Sequence, residues 1–242
     1  MLTYSNNTVF NVEAQTIANT INCEGVMGAG IALEFKLRYP KMFEDYVCRC
    51  ECKEVRVGEP YLFREYGYPW ILNFPTKKHW KYPSKLEWIQ QGLEHFASHY
   101  QENGITSIAF PMLGTNNGHL EWTEVKSLME HYLGNLSINV EICLDAENEA
   151  SGVEGYIVSK LNDADDRSWI GDLKLRQQTA DKILAALPIS RFRELARLKG
   201  IGEQTYSNIF KHFYAQAPTA KDTVTTPEPV SVVETKQLTL TF

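Results

Sequence analysis

Up to Asp145 the apolar positions switch repeatedly between two spacings, every second residue and every third or fourth. Strands bury alternate residues and helices bury every third or fourth, so this switching predicts strands and helices in turn. Residues 15–21 form a β-rich run, followed by a glycine-rich turn and a helical stretch over 31–39 that stops before Pro40. Residues 60–64 and 70–74 read as strands. Residues 84–100 read as an amphipathic helix with Leu86, Ile89, Leu93 and Phe96 on one face, Ser84 as N-cap and Glu87 three residues on. A strand over 105–110, a helix over 122–133 and a strand over 138–144 complete the pattern. Such alternation predicts an α/β sheet covered by helices, with a ligand at the strand ends.

Beyond Asp145 the pattern changes. Residues 146–155 are acidic and contain glycine, which sets a linker over 146–160 between a body at 1–145 and a small all-α domain over 161–216. Leu195, Leu198, Ile201 and Ile209 are core candidates in that second domain. From residue 217 the chain turns to Thr, Pro, Val and Glu, a composition too poor in large apolar groups to fold, so a disordered tail over 217–242 is expected. Its last six residues break the pattern. A chain of 242 residues accommodates one larger and one smaller domain.

Charge sharpens this division. The formal net charge is −6, yet the stretch from Arg167 to Lys211 carries nine Lys/Arg against four Asp/Glu, a local +5 that leaves −11 for the remainder. A basic segment on an acidic body points to a nucleic-acid-facing element. No apolar run approaches the roughly 20 residues that span a bilayer. The N-terminus lacks the basic and apolar regions of a secretory leader, so a cytoplasmic location is expected. Five cysteines, an odd number, fit reducing surroundings. Cys48, Cys50 and Cys52 form C-x-C-x-C, but structural zinc sites use wider spacing and a companion ligand pair. Free thiols near a helix end, and no metal, are expected.

Three loops carry candidate chemistry, and each follows a predicted strand. In the first, Asn19 and Asn22 precede Gly25, Val26, Met27, Gly28, Ala29, Gly30 and Ile31. Glycines there let backbone amides approach a pyrophosphate, and a helix N-terminus adds partial positive charge. Asparagine amides donate to and accept from sugar hydroxyls. The second loop runs through Pro111, Met112, Leu113, Gly114, Thr115, Asn116, Asn117 and Gly118. One such turn alone is more often a packing device; two at one sheet edge point to a bound diphosphate. Neither matches the P-loop or dinucleotide fingerprint, which leaves kinase and Rossmann readings weak. The third loop places Thr76, Lys77 and Lys78 directly after a strand. A lysine beside a phosphate site can pair with its charge or, when desolvated, act as a nucleophile. His79 is a further acid/base candidate, although a histidine between lysine and tryptophan more often packs.

Together, Asn19, Asn22, the run GVMGAGIA from Gly25, NFPTKKHW from Asn73 and PMLGTNNGHLEW from Pro111 resemble the macrodomain family. They are most similar to its branch of DarG-type DNA ADP-ribosyl glycohydrolases and terminal ADP-ribose glycohydrolases. The resemblance implies a mixed sheet sandwiched by helices and a cleft for ADP-ribose, with the diphosphate between the two glycine loops and no cofactor. It implies that Lys77 is catalytic at C1 of the distal ribose, by attack or by stabilising an opened sugar, and that Asn22 holds that ribose. Ligand contacts are expected from Asn19, Gly25, Val26, Met27, Gly28, Ala29, Gly30, Ile31, Thr76, Pro111, Leu113, Gly114, Thr115, Asn116, Asn117 and Gly118. Terminal ADP-ribose glycohydrolases place Asp where this chain has Gly118. The DarG type has Gly, which directs the reading toward a DNA base rather than a protein glutamate. Many macrodomains read adenine through the Asp of an N-terminal Gly-Asp, and here Asn7-Thr8 stands in its place.

Residues 198–209 resemble a helix-hairpin-helix element, in HRDC-like manner, with Arg197, Lys199, Gly200, Ile201 and Gly202 gripping a DNA phosphate through amides and basic side chains. Gln237, Leu238, Leu240 and Phe242 resemble the peptide that binds the bacterial sliding clamp. The combined expectation is an enzyme removing ADP-ribose from DNA bases. Its expected partners are ADP-ribosylated DNA, the clamp and a cognate ADP-ribosyltransferase toxin. The alternatives are a hydrolase acting on ADP-ribosylated protein or ADP-ribose phosphate, and a non-catalytic ADP-ribose reader or antitoxin.

Overall fold

The computed structural model describes residues 1–218, so Gln237, Leu238, Leu240 and Phe242 lie outside the described residues. Six strands form one sheet: β1 (Leu2–Ser5), β2 (Thr16–Asn22), β3 (Tyr61–Phe63), β4 (Trp70–Lys77), β5 (Ser107–Pro111) and β6 (Asn139–Cys143). Their order is β1-β6-β5-β2-β4-β3, with every pair parallel except β3 on β4. Central β2 lies between β5 and β4 and is buried along nearly its whole length, as a strand covered on both faces must be.

Helices α1 (Gly30–Arg38) and α2 (Pro40–Glu51) cover one face, and α3 (Leu86–His99) and α4 (Trp122–Leu133) the other. Side-chain parity makes the division. Ile17, Ile21, Ile71 and Ala109 pack with Phe35, Met42 and Tyr46, while Ala18, Leu72, Phe74, Ile108 and Phe110 pack with Ile89, Leu93 and Met129.

Strands and helices form close to the expected spans, with three differences. The edge strand β1 and helix α2 carry no strong local signal. Pro40 opens α2 as its first residue instead of only closing α1, because a first-turn N–H has no intrahelical partner to lose. Cys48 and Cys50 lie near the end of α2 and Cys52 caps it; all are free thiols, and among the described residues no cluster is arranged to hold a metal. Ser84 does not cap α3. The helix starts at Leu86 with Lys85 as N-cap, because Ser84 is drawn off: its N–H donates to the Gly118 carbonyl at 2.9 Å.

The expected linker needs a larger correction. Most of it is helix α5 (Gly152–Asn162), which packs with α6 (Ser168–Asp172), α7 (Gln177–Ala186), a 3-10 turn (Phe192–Arg197) and α8 (Glu203–Tyr214). Their shared core holds Ile157, Leu161, Trp169, Phe192, Leu195, Ile209 and Phe210, and it takes in Leu33 and Leu37 of α1. The C-terminal helices therefore sit directly on α1. Acidic composition misled because Glu154 is buried in α5 against Arg191, whose Nε and Nη2 donate to its carboxylate at 2.9 to 3.1 Å. Among the described residues no helix is long and apolar enough to cross a membrane.

Candidate active site

The C-terminal ends of β2, β4 and β5 converge on a cleft of about 960 Å³, near the upper end of the usual roughly 300–1,000 Å³ for a ligand pocket. The loop after β2 leads into α1, whose N-terminus has no side-chain cap and no acid in its first turn, so its amides remain available to an anion. Gly30 there has φ +60°, a left-handed conformation that favours glycine, and a Cβ added to it would lie 2.6 Å from Asn117 Nδ2. The two glycine loops thus touch, closing the cleft floor.

Gly118 is fixed by contact. A Cβ at this position would lie 2.2 Å from the Gly114 carbonyl oxygen and 2.5 Å from Ser84 Oγ. The loop is drawn tight by His119 N–H donating to Thr115 O at 2.9 Å and Leu120 N–H donating to Gly114 O at 3.0 Å. An aspartate therefore cannot occupy position 118 without rebuilding the loop. Gly118→Ala is expected to cost about 1–3 kcal/mol of stability, the usual range for overpacking. Thermal unfolding reads this directly, and a wild-type melting temperature would show that the loop yields freely.

Lys77 ends β4 and pairs in register with Asn22 at the end of β2, just beyond an irregularity in the ladder. Its Nζ donates to the Asn117 carbonyl and, at 3.4 Å, to the Trp80 carbonyl, which places the amine between the second and third loops. Burial alone pulls its pKa below the ordinary lysine value. Cys23, whose N–H donates to the Lys78 carbonyl at 3.3 Å, is pushed up to about 11, chiefly by burial, and stays a thiol at neutral pH. Asn22 also lines the cleft, but its side chain already shapes the first loop. Nδ2 donates to Val26 O at 2.6 Å, while Oδ1 accepts from Glu24 N–H at 2.9 Å and from the Tyr46 hydroxyl at 3.0 Å. One amide N–H is left for a ligand.

Most expected ligand contacts reach the cleft: Val26, Gly28, Ala29, Gly30, Ile31, Thr76, Pro111, Gly114, Thr115, Asn116, Asn117 and Gly118. Four do not. Asn19 is fully buried and donates to Asn73 Oδ1 at 3.0 Å, because it sits in the middle of β2, three residues short of the strand end that faces the cleft. Met27 and Leu113 are core side chains, and Gly25 packs against α2. His79 is likewise outside the cleft, stacked on Trp80 with Nδ1 accepting from Lys81 N–H.

Sequence reasoning missed the far wall. Arg193, Ile201, Gly202, Glu203, Tyr206 and Phe210 of the C-terminal helices line the same cleft, opposite Phe10, Leu33 and Glu34. Glu203 reaches back to Lys36 of α1 at 2.8 Å and lies close over Gly28. The acids at this end are already engaged: Glu34 by Arg38, and Asp145 by Arg191 and Arg193. Thr8, standing in the Asn7-Thr8 pair, caps the turn at Val9–Asn11 through its hydroxyl, which accepts from Phe10 N–H. No local signal in the sequence joins residues 193–210 to residues 10–34; only the packing of α8 on α1 does. Of the five residues expected to grip DNA, Arg197 and Lys199 are exposed, whereas Ile201 is buried and Ile201 and Gly202 face the cleft.

Residues 18–129 match the family described as the Macro domain. Over 129 residues the chain is 43% identical to the DNA ADP-ribosyl glycohydrolase of Mycobacterium tuberculosis, covering 52% of this chain and 37% of that protein. The chain thus spans little more than a third of that relative. The macrodomain of Mycobacterium tuberculosis DarG aligns with a TM-score of 0.57 at 39% identity, covering 59% of this chain and 97% of that one. Thermosipho africanus DarTG in complex with ADP-ribose aligns with a TM-score of 0.58 at 34% identity, covering 64% of this chain and 44% of that one. The family match ends before β6 and before the C-terminal helices.

Proposed function

Because this chain belongs, through residues 18–129, to the macrodomain family, we propose that it hydrolyses the N-glycosidic bond between ADP-ribose and a DNA base. The observation that carries this reading is Lys77: a partly desolvated amine fixed by two carbonyl oxygens at the cleft end formed by three strand termini. The diphosphate lies against the amides of residues 28–30, at the positive end of α1, and against the second loop. This sets C1 of the distal ribose against Nζ. The neutral amine donates its lone pair to C1 as the bond from C1 to the base breaks; the base keeps that electron pair and takes up a proton. Water then adds at C1 and releases the lysine, so that one water is consumed for each ADP-ribose freed. Asn22 orients the ribose with its remaining amide N–H. The names of the relatives and the exclusion of an acid at position 118 support DNA over protein as the acceptor.

Arg197 and Lys199, exposed on the C-terminal helices, add phosphate contacts to the strand carrying the modified base. The deciding experiment measures ADP-ribose release by the wild-type chain from a singly ADP-ribosylated oligonucleotide and from an ADP-ribosylated protein, at two salt concentrations. Release from the oligonucleotide with a KM that rises with salt is the expected result, and Arg197→Ala/Lys199→Ala flattens that rise. Release from the protein alone assigns the chain to protein de-ADP-ribosylation.

A further inference from the structure

The mouth of the cleft next to Lys77 carries a surface that the hydrolytic reading leaves unused. Trp80 is 48% exposed and Tyr82 66% exposed, although both belong to a short ordered segment whose end is tied to the second loop. Large exposed aromatic side chains held in place are unusual, because folding removes such surface from water wherever it can. His79 sits between them, stacked on Trp80 with centroids 5.7 Å apart and tilted on Tyr82 at 5.2 Å. The three rings form a preassembled apolar ledge. Lysines of the same segment accompany it: Lys81 lies 5.0 Å from the Trp80 ring, and Lys78 and Lys85 lie 5.7 and 5.2 Å from the Trp88 ring of α3. All three lysines are exposed, on a chain whose formal charge is −6. Trp80 and Lys81 also line the cleft itself, so the ledge is continuous with the amine of Lys77.

We infer that this ledge is the docking platform for single-stranded DNA flanking the modified base. The inference rests on the proposed reaction, in which the base departs from C1 beside Lys77 and its strand must leave the cleft at that end. Aromatic faces and interleaved cations match a single strand, whose unstacked bases present π-faces and whose backbone presents phosphates. A duplex offers the phosphates but keeps its base faces buried. Base–aromatic stacking makes no demand on base identity, so the platform holds flanking sequence without reading it.

The test compares three substrates of the full chain: an ADP-ribosylated single-stranded oligonucleotide, the same oligonucleotide annealed into a duplex, and the same ADP-ribosylated nucleoside without flanking nucleotides. Tyr82→Ala/Lys85→Ala is expected to raise KM for the oligonucleotide roughly tenfold or more, the size of a lost stacking contact, with kcat unchanged. The same variant leaves nucleoside hydrolysis and ADP-ribose affinity at wild-type values. Trp80→Ala should penalise the oligonucleotide more than the nucleoside. Equal effects on the oligonucleotide and the nucleoside, an unchanged oligonucleotide KM, or equal KM values for duplex and single strand would overturn the platform. If the wild-type chain releases no ADP-ribose from any of the three, the proposed reaction fails, and fluorescence anisotropy with an unmodified labelled oligonucleotide still tests the ledge. Binding that Tyr82→Ala/Lys85→Ala abolishes upholds it; binding that the variant retains removes it.

Discussion

Lys77→Ala is expected to lower ADP-ribose release from an ADP-ribosylated oligonucleotide by about 10³-fold or more, the scale on which removing a nucleophile acts. Affinity for free ADP-ribose should stay near wild type, because in the proposed reading the backbone amides of the two glycine loops supply the binding and none belongs to Lys77. Calorimetric titration with ADP-ribose alongside the release assay separates the two effects. Loss of both would mean that the Lys77 contacts to Asn117 and Trp80 hold the cleft open, and that its role is structural. Lys77→Arg refines the result: it keeps a cation but cannot attack carbon, so an active arginine variant would assign Lys77 to charge stabilisation.

The same residue sets a pH dependence. In the proposed reaction only the unprotonated amine attacks, and burial lowers the Lys77 pKa, so the protonated fraction is reduced relative to an exposed lysine. Turnover should therefore rise with pH and level off with a midpoint below the ordinary lysine value of about 10.4. A rate independent of pH across that range would rule out attack by Nζ as the limiting step.

Arg191→Ala is expected to cost about 3–5 kcal/mol of stability, the usual penalty for stranding the partner of a buried ion pair. Arg191 is 6% exposed and engages all three guanidinium nitrogens: Nε and Nη2 on Glu154, Nη2 also on Asp145 and Nη1 on the Glu147 carbonyl. Glu154 in turn accepts the Phe192 N–H at 2.9 Å. One side chain therefore ties the end of the sheet, the start of α5 and the 3-10 turn before α8 into one unit. Removing it leaves Glu154 buried at the joint, and denaturant unfolding should record the loss. The control is Arg191→Met/Glu154→Leu, which removes both charges and should recover part of that stability. A single variant as stable as wild type would show that water already reaches the pair. Because Arg191 itself lines the cleft and α8 forms its far wall, Arg191→Ala should also weaken ADP-ribose binding.

The family match covers the central strands, the glycine loops and Lys77, and those were the parts most legible from sequence. Glycine runs at strand ends, and a lysine one residue after Pro-Thr, are local arrangements. Their chemistry follows from neighbours a few residues away, so it survives without knowledge of the fold. Helix α4 formed over the span its periodicity predicted, because Val125, Met129 and Leu133 repeat at the helical interval along one face. Helix α5 was missed because a buried glutamate looks, in sequence, like a solvated one; only Arg191, 37 residues away, distinguishes them.

Asn19 and Asn22 mark the boundary between the two kinds of information. Both are asparagines of β2, and both had equal claim to a ligand. Position along the strand keeps the first in mid-sheet against Asn73, while the second, at the strand end beyond the irregularity after Ile21, reaches the cleft beside Lys77. The amino-acid sequence by itself determined most strands and helices of the body and the position of the loops, and it singled out Lys77 as a candidate, because periodicity, glycine placement and residue type act over short distances. Tertiary structure alone decided which side chains face the cleft, why position 118 excludes an acid, and that the C-terminal helices complete the far wall. Those outcomes depend on contacts between residues far apart in the chain, whose partners are chosen by packing rather than by sequence neighbours.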